Sequence, residues 1–145
     1  MNDGGPSPRI LIANRQSAPV DADGLIELAR TTLAGEGRVA CELSVAFVTI
    51  DEMTDLHERF MGERGPTDVL SFPLDEVDED GVALLGDVVI APDVAATNNP
   101  QDTAAEMRLL LVHGILHLLG HDHEGEDERR EMWDIQERYS GVKAS

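Results

Sequence analysis

The run from Leu109 to His123, LLLVHGILHLLGHDH, constrains this chain more than any other stretch. It is apolar on nearly every side, so the segment Asp102 to Leu119 predicts a central helix buried on most faces, with Gly120 as the residue that stops it. His113 and His117 are four positions apart, which on a helix separates them by only about 40° and lets both rings address one atom. A left-handed backbone at Gly120 would turn the chain back and return His123 toward the same point. Three convergent imidazoles with one coordination position left open are the donor set of a catalytic zinc site, one Zn²⁺ per chain, and a metal would offset the cost of burying these rings beside Leu110, Ile115 and Leu118. His121 competes for the third position; His123 is favoured because the longer spacing gives the reversal more room.

Around this helix the pattern is mixed. Arg9 to Ala13 and Glu42 to Ile50 are rich in β-branched residues and predict strands, with a helix over Asp21 to Glu36 between them. Asp51 is a candidate cap for a second helix through Met61, ended by Gly62. Thr67 to Phe72 and Leu84 to Ala91 predict two more strands, and the Gly/Pro-containing stretch 91–100 a loop. A last, highly charged helix runs from about Gly125 to Tyr139 and packs through Met132, Trp133, Ile135 and Gln136. The expected class is therefore α+β: a small, about four-stranded mixed sheet packed with helices around a central buried metal-binding helix. With 145 residues and no repeat or long linker, residues 1–145 predict one domain, in which 1–8 form a loose tail.

Composition excludes several functions. Twenty-nine acidic against eleven basic residues leave a net charge of −18, which disfavours nonspecific binding to DNA or any other polyphosphate. Residues 1–70 hold six of the bases against twelve acids, and 71–145 hold five against seventeen, so any positive local field belongs to the first half. No stretch fits a membrane span or a signal peptide, and the lone Cys41 makes no intrachain disulfide, which together favour a cytoplasmic setting.

Other polar residues near the histidines have candidate roles. Glu106 shares the helical face of His113 but lies about 10 Å away along the axis, too far to be a metal ligand, and is placed behind the ligands or at the core edge. Asp122 could orient a histidine by accepting its second ring proton. Thr67, Asp68 and Ser71 either line a groove or simply alternate along a strand, with the strand reading ahead, and Asp87 reads as a turn or strand-edge acid. The histidine spacing is that of a metzincin peptidase, but Gly114 occupies the place of that motif's glutamate base; a glycine inside a helix points instead to close approach by another backbone or by substrate.

The blocks LLVHGILHLLGHDH, PTDVLSFPLDE at 66–76 and LGDVVIAPDVA at 85–95 together resemble the YbeY-type endoribonucleases, also described as rRNA maturation factors. The resemblance covers about residues 9–138. It implies a zinc-dependent, single-strand-specific endoribonuclease acting on small-subunit rRNA 3′ ends and in ribosome quality control, with the ribosome or small-subunit proteins as partners and His113, His117 and His123 as ligands. The chain departs from the family at LHERFMG, where His57 replaces the motif asparagine and Met61 the motif arginine. Arg59 and Arg64 are the nearby candidates for RNA contact. Two other readings are a zinc hydrolase or peptidase whose base is Glu124 or Glu106, and a noncatalytic ribosome-assembly protein with a structural metal.

Overall fold

A computed structural model describes residues 7–121 and 125–142. Four strands form one sheet in the order β1-β2-β4-β3: β1 (Arg9–Asn14), β2 (Cys41–Phe47), β3 (Val69–Val77) and β4 (Ala83–Ile90). β1, β2 and β4 are parallel, and β3 runs antiparallel to β4 as an edge. The helices are α1 (Ala22–Gly35), α2 (Ile50–Met61), α3 (Pro92–Asn98), α4 (Thr103–Leu118) and α5 (Glu126–Ser140).

The sheet has two unequal faces because alternate residues point opposite ways. In β2 the alternation is strict: Cys41, Leu43, Val45 and Phe47 are buried. They join Leu25, Ala29 and Leu33 of α1, Val88 and Ile90 of β4, and Leu110, Leu111 and Ile115 of α4 in the principal core. The opposite face is covered by α2 through Met53, with Val48, Leu70, Val89 and Ala91. Val112 and Leu116 of α4 meet Met132 and Ile135 of α5 in a third cluster. α4 is thus enclosed by α1, the sheet and α5, as its nearly uniform apolarity requires.

Caps explain most boundaries. Asp21 accepts from the Gly24 amide and Asp102 from the Ala105 amide, which start α1 and α4. Three expectations change. α2 begins two residues earlier than an Asp51 cap allows, because Thr49 caps it by accepting from the Glu52 amide, and β2 accordingly ends at Phe47 and not at Ile50. The stretch 91–100 is not all loop: Pro92, whose ring presets the helical φ, opens α3. β3 continues past Phe72 through Pro73 to Val77, which an edge strand tolerates through the irregular register between Pro73 and Glu76.

Cys41 is buried in the principal core, and burial pushes its thiol pKa up, so it is a small core residue and not a nucleophile.

Candidate metal and RNA site

α4 delivers the two histidines. Its end is a Schellman motif: the Gly120 amide donates to His117 O and the His121 amide to Leu116 O, with Gly120 at φ 95°. The chain therefore reverses where expected. His123 and Asp122, the expected third ligand and orienting acid, lie outside the described residues.

His113 and His117 are half-buried with ring centroids 4.7 Å apart and planes at 62°. His113 Nδ1–H donates to Gln136 Oε1 at 2.6 Å, and Gln136 is itself buried on α5. That bond fixes the ring orientation and places the imidazole lone pair on Nε2, the arrangement that metal-binding histidines require of a neighbouring acceptor. The sequence places Gln136 only on a packing face; no local pattern announces a partner 23 residues away on another helix.

Gly114 explains itself next. A Cβ there would stand 2.6 Å from Val88 Cγ1, and Ser71 Oγ donates to Gly114 O at 3.0 Å. The close approach is by side chains of β4 and β3, not by a backbone or substrate as expected, and Ser71 is accordingly a structural contact between β3 and α4.

His113 opens onto a cleft of about 310 Å³. α4 forms its floor with Glu106, Leu109, Leu110 and His113; Arg129, Met132, Trp133 and Gln136 of α5 line one side, and Asp68 and Val69 at the start of β3 the other. Asn98 Nδ2 donates to Asp68 Oδ2 at 3.1 Å and to Glu106 Oε2 at 3.5 Å, drawing the two carboxylates together. Asp68 is therefore a groove residue, contrary to the strand reading. Trp133, expected to pack, is 39% exposed along the cleft, because the residues α5 turns fully inward are Met132, Ile135, Gln136 and Ser140.

The remaining candidates lie elsewhere. Asp87 is exposed in the interior of β4, not in a turn, and alternation with Val88 puts it on the sheet face away from α4. Arg59 pairs with Asp55 at 3.0 Å on α2, and Arg64 is exposed on the loop four residues before Asp68; neither lines the cleft. His57 Nδ1–H donates to Gly65 O at 2.8 Å, closing the loop between α2 and β3. His121 Nε2–H donates to Glu36 Oε1 at 3.1 Å, and Tyr139 donates to Glu36 Oε2 at 2.9 Å, which ties the turn after α4 to the end of α1. Burial first, and then Glu36 as acceptor and as charge, raises the Tyr139 pKa.

Comparison with known proteins agrees with this architecture. Residues 11–141 match the family model described as Endoribonuclease YbeY. The chain is 49% identical over 141 residues to an Endoribonuclease YbeY of Frankia casuarinae, covering 88% of this chain and 70% of that one. It is 46% identical over 144 residues to one of Salinispora tropica, covering 89% and 92% respectively. The solution structure of a protein from Thermotoga maritima superposes with a TM-score of 0.57 at 28% identity, over 92% of this chain and 86% of that one.

Proposed function

The chain belongs to the endoribonuclease YbeY family and is a nuclease acting on RNA, and from that premise we propose that it cuts single-stranded RNA beside one Zn²⁺ held by His113, His117 and His123. The observation that carries this reading is the His113–His117 pair on one face of α4, with Gln136 engaging Nδ1 of His113. Two imidazoles a turn apart, one with its metal-facing tautomer already selected, are a donor set that fits Zn²⁺. Support for the third ligand is the chain reversal at Gly120 and the HxxxHxxxxxH spacing. When bound, the metal would supply Lewis acidity that polarises a phosphoryl oxygen and stabilises the negative charge carried by the oxygens in the transition state.

The chain's own residues do the rest. Gln136 holds His113 in orientation from within the core. Asp68 at the cleft wall and Glu106 beside it on the floor are positioned to accept base N–H groups, and their pairing through Asn98 keeps them there. Arg64, on the loop leading into the cleft, and Arg59 beyond it are the proposed contacts for RNA backbone. The wider reading is maturation of small-subunit rRNA 3′ ends and ribosome quality control in the cytoplasm, by a single domain working with the ribosome or small-subunit proteins. It is supported by the family membership and by an acidic surface poorly suited to gripping naked RNA unaided. No helix among the described residues is long and apolar enough to cross a membrane.

Metal content and cleavage of a single-stranded RNA, measured on the wild type and on His117→Ala with and without chelator, test the proposal. One equivalent of zinc, with cleavage lost on chelation and in the variant, is expected. Cleavage that survives both would remove the metal from the mechanism.

A further inference from the structure

Trp133 stands out on α5. Met132, Ile135 and Gln136 around it are buried, yet this indole is 39% exposed and lines the same cleft as His113. A large aromatic kept partly in water beside a nuclease centre has a use that packing does not supply: a base stacks on any exposed ring, and such stacking is largely indifferent to which base it is. The other wall has different chemistry. Asp68 and Glu106 are drawn together by the Asn98 amide, and neither presents a donor when ionised. Such a wall repels phosphate and accepts N–H groups. Between an aromatic side and an acceptor side, a space of about 310 Å³ suits a flat heterocycle with donors on its edge.

Resting on the reading of this chain as a ribonuclease, the geometry points to this cleft as a subsite for one unpaired base flanking the scissile phosphate, stacked on Trp133 with its Watson–Crick edge toward Asp68 and Glu106. Guanine is the favoured occupant. Its N1–H and N2–H groups lie side by side and match the two oxygens of one carboxylate, whereas uracil offers a single N–H flanked by carbonyls that the acidic wall rejects. Trp133 on α5, Asp68 just before β3 and Glu106 in the first turn of α4 hold the base, a role in selecting the RNA and not in breaking its bond.

Trp133 is the only tryptophan in the chain, so its fluorescence reports occupancy directly. The metal-loaded protein is titrated with short 2′-O-methyl oligoribonucleotides, one containing a guanine among uracils and one of uracil alone. Saturable quenching is expected, tighter for the guanine-containing strand. In cleavage assays of unmodified RNA, Trp133→Ala should raise KM about 5- to 100-fold with kcat within about twofold. Zinc content should stay at the wild-type value, and Trp133→Phe should restore most of the KM. Asp68→Asn should narrow the preference for guanine over uracil.

An unchanged KM in Trp133→Ala, from a wild type that cleaves RNA, would overturn the subsite and leave the nuclease reading intact. Equal affinity for the two strands would overturn the role of the acidic wall. A wild type that quenches on binding but cleaves no RNA would sink the nuclease reading, on which the scissile-phosphate register depends.

Discussion

Gln136 shows how much the proposed metal site would depend on residues that never touch the metal. Its side chain is buried on an otherwise charged helix, and its carbonyl accepts from His113 Nδ1 at 2.6 Å. Replacing it with alanine leaves that N–H without its acceptor and lets the ring rotate, so Gln136→Ala should weaken zinc binding about 10- to 100-fold, read by competition with a chromogenic chelator. Gln136→Glu keeps an acceptor at the same position and should recover most of the affinity; equal affinity in all three proteins would show that the bond is incidental. The histidine pair was readable in the sequence because four residues along one helix is local geometry. Gln136 and Trp133 are not, since residue type and helical position put both on one packing face. Only the docking of α5 on α4 decides which side chain turns inward to His113 and which lies along the cleft.

At the scale of elements, the site depends on how closely α4 sits on the sheet. Gly114 permits that approach: with alanine there, the new methyl would overlap Val88, and the hydrogen bond from Ser71 to Gly114 O would be strained. Alanine gains about 1 kcal/mol of helix propensity, but overpacking a rigid sheet contact costs roughly 1–3 kcal/mol. Gly114→Ala should therefore lower stability by up to about 2 kcal/mol in urea unfolding, and adding Val88→Ala should recover more than the two single effects predict. A Gly114→Ala protein more stable than the wild type would mean that α4 shifts freely. The elements legible in advance were those with strong local signals: the alternation of β2, the apolar run of α4 and the stop at Gly120. α3 was missed because a seven-residue helix without a side-chain cap has little local signature beyond Pro92. The extension of β3 through Pro73 was missed because pairing with β4 sustains it across an irregular register that its own residues do not announce.

Over the whole molecule, charge sets the terms on which RNA can be met. The net charge of −18 is not offset at the cleft, where Asp68 and Glu106 share the lining with Arg129 and His113. Binding of a single strand falls with salt by roughly 0.7 in log–log slope for each phosphate neutralised, so a footprint of one or two arginines predicts a slope no steeper than about −1.5. The long-range field of the remaining acids opposes association and is itself screened as salt rises, which flattens the dependence further. Affinity for naked single-stranded RNA should accordingly be about micromolar or weaker at physiological salt, measured by fluorescence anisotropy across a salt series. A steep slope, near −4 or beyond, would reveal a basic track that the described residues do not contain. A nanomolar complex indifferent to salt would place the binding energy in base contacts alone. The weak, shallow behaviour expected here would leave the choice of cut to the proposed stacking cleft and metal, and delivery of the RNA to a larger assembly that holds it.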